Sequence, residues 1–196
     1  MSPRTRRLAL EAAVLVGVAI VAALILKAFV AQAFSIPTGS MEPQLQPGDR
    51  VIVSRIAYRL HDARRGDIVV FDAPDQPGDD AALPVRLLDE VLESLGLRRP
   101  DETEIIKRVV GLPGEVVEAR NGRVLIDGRE LREPYLPPDV ATADFGPVTV
   151  PAETVFVLGD NRTNSADSRV IGPVPVDSIV GRAIVRAWPP WRWAWL

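Results

Sequence analysis

No cysteine occurs among the 196 residues, so the chain forms no disulfide, builds no thiolate zinc site and has no cysteine nucleophile. Histidine is almost as scarce. With His61 alone, a multi-histidine metal centre is excluded, and a histidine-based triad would depend on that single residue. No metal or cofactor is expected. A dense basic block is also missing and the net charge is −3, which argues against nucleic acid as a partner. Lysine is rare: of 23 basic side chains only Lys27 and Lys107 are lysines, and the rest are arginines. Arginine keeps its proton in proteins, whereas a desolvated lysine can become a neutral base. Codon bias with two chance survivors explains the count equally well.

What is present suits one domain plus an anchor. At 47% hydrophobic and 25% charged, the chain is neither a disordered tail nor a multi-span membrane protein. Arg4, Arg6 and Arg7 precede an apolar run from Ala12 to Leu26, which resumes after Lys27 up to Phe34. Residues 8–34 are long enough, as helix, to cross a hydrocarbon core with some tilt. The three arginines place residues 1–7 in the cytoplasm and residues 35–196 outside, in a single-pass protein of the plasma membrane. A cleavable leader ending at Ala31-Gln32-Ala33 is the competing reading. The uncleaved anchor is preferred because the apolar core is at the long limit for a leader.

The body reads as mainly β, in keeping with eighteen prolines and 14 glycines that mark frequent turns. Strands are expected at 50–56, 67–71, 105–110, 116–119, 123–126, 154–158 and 179–187. Asn121-Gly122 is a hairpin signal, and Asp127-Gly128 marks the next turn. The exception is 84–95, where Leu87, Leu88, Val91, Leu92 and Leu95 recur at helical spacing inside an insertion over 75–103.

Three segments hold groups that can do chemistry. Ser40 lies in Ser35-Ile36-Pro37-Thr38-Gly39-Ser40-Met41-Glu42-Pro43, an irregular stretch that by itself also reads as a linker. Lys107 lies in a β-branched strand, where alternation groups it with Ile105 and Val109. On a buried face its amine would be desolvated and its pKa lowered; on the other face it would be an ordinary surface lysine. Alternation does not separate these readings, because Arg108 is equally awkward on the opposite face. The third segment, 159–169, is dense in polar groups directly after a strand. Such a loop is either solvated or a connected network.

Taken together, the chain resembles the type I signal peptidases, membrane-anchored serine proteases with a Ser/Lys dyad. Four ordered blocks carry the resemblance: Ser40-Met41-Glu42-Pro43-Gln44-Leu45, Gly48-Asp49-Arg50-Val51, Lys107 through Gly114, and Gly159 through Arg169. Gln44 departs from the threonine usual there. The resemblance implies coiled, mostly antiparallel sheets. It implies Ser40 as nucleophile, Lys107 as general base, and Thr38 with the Ser40 N–H as oxyanion hole. By the same resemblance Ser165 orients the amine, Asp167 and Arg169 support that loop, and Ile36, Pro37, Met41, Leu45 and Ile106 line the substrate groove. The implied activity is removal of signal peptides from exported preproteins, through an acyl-enzyme, after small residues at −1 and −3.

The chemistry agrees with this on its own terms. A serine hydroxyl needs a base nearby, and with cysteine absent a neutral lysine amine is a known partner. His61 sits in a polar turn and is expected to be structural. Two other functions compete: another membrane-tethered Ser/Lys protease, and an inactive membrane-anchored β-domain. The tail, 188–196, holds all four tryptophans interleaved with Arg192, which suits either a membrane interface or the capping of a sheet. Membrane lipid is therefore a second expected partner.

Overall fold

The computed structural model describes residues 7, 11, 12, 14–18, 31–72 and 104–196. The expected helix at 84–95 and its flanks lie outside the described residues, as does most of the expected anchor. Residues 14–18 are helical, and Val14, Leu15, Val16 and Val18 expose their apolar side chains. Among the described residues no helix is long and apolar enough to cross a membrane.

The helical anchor was expected to run on to Phe34, and there the structure differs. Ala31–Ser35 is a strand, β1, paired antiparallel with Arg50–Ser54, β2. The reason is alternation: Phe34 is buried while Ala33 and Ser35 face outward, a period of two that a sheet satisfies and a helix does not. The turn between these strands carries Ser40.

The remaining strands follow the β-branched runs between turn signals. They are Ile68–Asp72 (β3), Glu104–Gly111 (β4), Val116–Arg120 (β5), Arg123–Ile126 (β6), Arg129–Glu130 (β7), Phe145–Thr149 (β8), Thr154–Leu158 (β9), Val174–Pro175 (β10), Ile179–Trp188 (β11) and Ala194–Trp195 (β12). Two short helices, Ala57–Leu60 and Ser168–Ile171, interrupt them. Asn121 and Gly122 adopt φ of 53° and 81°, the left-handed pair that a two-residue hairpin between β5 and β6 requires.

One sheet runs β1-β2-β11-β3-β4-β9-β10 with β12 added on β11; the other runs β7-β6-β5-β8. Every pairing among the described strands is antiparallel. Register shifts along β11 at 179–181, 183–185 and 186–188 bend it, so that one strand serves β2 along one edge and β3 then β12 along the other. This makes the sheets coiled.

Three apolar clusters form the core. The first joins Phe34, Ile36, Met41, Leu45, Val51, Val53, Ile68, Val70, Ile106 and Ala183 directly under the Ser40 turn. The second gathers Val69, Phe71, Val109, Val155, Val157 and Val174. The third, with Val110, Val117, Phe156 and Leu158, unites residues of both sheets, and the Phe145 and Phe156 rings stack there at 5.5 Å.

Candidate active site

Gly39–Met41 forms one 3-10 turn. Backbone bonds hold it on both sides: the Ile36 N–H donates to the Asp49 carbonyl at 2.8 Å, and the Leu45 N–H donates to the Met41 carbonyl at 2.9 Å. With Met41 and Leu45 wholly buried beneath it, the turn is a rigid seat and not a linker. Ser40 is 9% exposed there. The hydroxyl of exposed Thr38 lies 3.2 Å from the Ser40 hydroxyl.

Lys107 comes from β4, opposite Val69 of β3, and is 3% exposed. Its Nζ donates to Ser40 Oγ at 2.8 Å and to the Ile106 carbonyl at 2.7 Å. Burial lowers the amine's pKa from the usual 10.5 to about 8, against the pull of the Asp167 and Asp160 carboxylates. The ambiguity left by strand alternation resolves in an unexpected way: both faces of β4 are buried. Arg108 is 5% exposed and fully engaged. Its guanidinium forks onto Asp160 at 2.8 and 2.7 Å, donates to the Gly66 carbonyl at 2.8 Å, and lies 4.0 Å from the centre of the Tyr135 ring.

The polar 159–169 loop is a connected network. Asp167 accepts two bonds from the Arg169 guanidinium, each at 2.8 Å, and one from the Gly159 N–H at 2.9 Å. Burial raises the Asp167 carboxyl, but those donors outweigh it and hold the group below its ordinary value. Arg169 also donates to the Arg162 carbonyl at 2.6 Å, and Arg162 in turn engages Glu133, Thr142 and the Gly159 carbonyl. The loop grips the serine turn directly. Asn161 donates its N–H to the Ser40 carbonyl and its side-chain amide to the Gly39 carbonyl, both at 3.0 Å. Gly159 is needed by contact, since a Cβ there would collide with the Ser165 side chain and the Ser40 carbonyl.

Known proteins resemble this chain over most of its length. The family model described as "Signal peptidase, peptidase S26" matches residues 9–188. A signal peptidase I of Leptolyngbya laminosa is 45% identical over 89% of this chain and 77% of its own length. A signal peptidase I of Mycobacterium tuberculosis is 37% identical over 97% of this chain and 76% of its own. The chain belongs to the signal peptidase family. A solved signal peptidase I from Enterococcus faecalis V583 is 29% identical, covering 62% of this chain and 97% of that one, with a TM-score of 0.44. Removal of signal peptides from preproteins, by a serine endopeptidase, is accordingly the activity of the chain.

Not every expected position falls as the resemblance implies. Among the described residues the buried Ser165 hydroxyl, beside Asp167, meets no partner at hydrogen-bond geometry, while the Lys107 amine donates to Ser40 and Ile106. Of the groove residues, Pro37 is exposed. Ile36, Met41, Leu45 and Ile106, at 6% exposure or less, form an apolar floor under the turn and offer no open wall. The His61 ring bonds its neighbour's carbonyl, through Nδ1 at 2.9 Å to Asp62, and packs edge-on against Tyr58. A cleft of about 1080 Å³ lined by Tyr58, Asp62, Glu153, Val155 and Ile179 contains neither Ser40 nor Lys107. Sequence reasoning missed Asn161, Asp160 and the Arg162–Glu133 pair. A buried arginine next to Lys107 was the one signal that a compensating acid had to exist.

Proposed function

We propose that Ser40 is the nucleophile and Lys107 its general base in signal-peptide cleavage. The neutral amine takes the Ser40 proton as Oγ attacks the scissile carbonyl carbon. The Ser40 N–H and the Thr38 hydroxyl stabilise the resulting oxyanion. The protonated amine returns its proton to the leaving amine, and the peptide bond breaks to leave an ester on Ser40. Lys107 then deprotonates a water that attacks the ester carbonyl, and passes that proton to Ser40 Oγ as the acyl C–O bond breaks and the acid leaves. The 2.8 Å contact between Nζ and Oγ, made where burial lowers the amine's pKa, carries this reading.

Cleavage after small residues at −1 and −3 is supported by the closed floor of Ile36, Met41, Leu45 and Ile106, whose burial leaves no open wall for a large side chain. The residues before Ala31 serve as a membrane anchor: from Leu8 to Val30 a helix would span about 34 Å, enough for the hydrocarbon core. Exposed apolar Val14, Leu15, Val16 and Val18 on helical residues support lipid contact. With the N-terminal arginines held in the cytoplasm, residues 35–196 act on the outer side, on exported preproteins. Exposed Trp188, Trp191, Trp193 and Trp195 rest that body against lipid.

The test is preprotein cleavage in detergent by wild type, Ser40→Ala and Lys107→Arg. Arginine keeps the charge but cannot act as a base, so both variants lose cleavage; an active Lys107→Arg overturns the reading.

A further inference from the structure

A buried ion pair sits one residue from the amine that must be neutral. Replacing such a pair by apolar groups is often neutral or stabilising, so burial of Arg108 and Asp160 is weak evidence for a stabilising role. Their position suggests another. Asp160 lies between Gly159, whose Cα backs onto the Ser40 carbonyl, and Asn161, whose N–H donates to that carbonyl. Its backbone is thus fixed beside the serine turn, and its carboxylate, with a side-chain exposure of 0%, sits on Arg108 and is one of the two acids whose charge acts on the Lys107 amine. A bare negative charge in that place would stabilise the ammonium form of Lys107 and remove the base.

We infer that Arg108 is a positioning residue whose guanidinium cancels the Asp160 carboxylate and so keeps the neighbouring Lys107 amine free to act as a base. This rests on the Ser/Lys reading above. The surroundings leave Arg108 as the matched partner. On the 159–169 loop, Asp167 is already neutralised by Arg169, and Arg162 by Glu133. Asp67, just before β3, is taken up by Arg182 and Tyr58. The β3 residue opposite Lys107 is Val69, and the serine turn contributes hydroxyls, with Glu42 half-buried at its end. The Tyr135 ring under Arg108 is uncharged, its hydroxyl held protonated first by burial and then by Glu133. Each acid that pulls on the amine therefore has its own arginine, and Arg108 serves Asp160 through two parallel bonds and one anchor to Gly66.

The experiment is the pH profile of kcat/KM for preprotein cleavage, using the full chain in detergent. Arg108→Gln moves the acid limb up by about one pH unit, the size expected from an opposite charge nearby. Arg108→Lys keeps the charge and leaves the limb close to wild type. Asp160→Asn, which keeps the shape and one acceptor, moves the limb down. Opposite movements in the two neutralising variants are what a merely structural role does not produce. If Arg108→Gln and Asp160→Asn lower the rate by a constant factor at every pH, the inference is overturned. Should Arg108→Gln fail to fold, Asp160→Asn decides alone, and an unmoved limb overturns it. An active Lys107→Arg defeats the dyad itself, whereas an inactive one with unmoved limbs defeats only the role of Arg108.

Discussion

Lys107 Nζ lies 2.8 Å from Ser40 Oγ although 67 residues separate them in the chain, and neither side chain is more than 9% exposed. Two unrelated pieces of structure meet there, a 3-10 turn and the middle of a strand, and the 159–169 loop ties the turn down through Asn161. The cost of that meeting is the burial of an amine, and several consequences follow from its size.

Lys107→Met should stabilise the protein while abolishing cleavage. The amine's pKa is about 8 in the fold against 10.5 when unburied. Below pH 8 both folded and unfolded chains carry the proton, so the fold bears the whole desolvation cost. Between those two values the unfolded chain alone keeps it, and stability rises with pH; above them the cost is gone. The gain from Lys107→Met is therefore largest at pH 7, at most about 3 kcal/mol, and shrinks toward pH 10.5. Thermal unfolding in detergent at pH 7 and pH 10 measures it; a lower Tm at pH 7 would contradict the assignment.

Thr38→Val removes a hydroxyl 3.2 Å from Ser40 Oγ without opening a cavity, because Thr38 is exposed. Loss of one oxyanion donor lowers kcat by about 100-fold, with little change in KM or Tm. An unchanged kcat rejects Thr38 as a donor.

His61→Ala should cleave at the wild-type rate, since the ring packs on Tyr58 and bonds the Asp62 carbonyl, neither of which belongs to the Ser40–Lys107 site. A loss of activity greater than about tenfold, the equivalent of ~1.4 kcal/mol, would reopen a histidine mechanism.

All four tryptophans lie in the tail, so intrinsic fluorescence reports on that tail alone. Trp191 and Trp195 are 81% and 70% exposed. In vesicles the emission should shift to the blue and be quenched by brominated acyl chains. Truncation is a poorer test, because Leu196 packs on the first core cluster and the Arg192 guanidinium donates to both Asp49 carboxylate oxygens at 2.9 Å. Emission typical of water, without quenching, places the tail away from lipid.

The strands legible in the sequence were those bounded by unambiguous turns. Arg123–Ile126 and Thr154–Leu158 fall where the β-branched runs put them, and Asn121-Gly122 makes its hairpin. β1 was hidden because its residues continue an apolar run, and only the buried–exposed alternation around Phe34 distinguishes strand from span. β7, β10 and β12 are two-residue strands defined by their partners and carry no local signal. In the site, Ser40 and Lys107 were visible as chemistry, but the partner of each polar group was not. Which acid would meet Arg108, and which amide would hold Ser40, depend on contacts between segments 52 and 121 residues apart.

The protonation state of Lys107 is the centre of the account, and the composition makes it directly readable. With only two lysines in the chain, lysine labelled with 13C at Cε alone yields two resonances, and Lys27→Arg leaves Lys107 alone. Followed against pH in the full chain in detergent, that signal should titrate with a midpoint near 8. A midpoint at the ordinary 10.5 would show an amine charged at working pH, and Lys107 could not then be the base that activates Ser40.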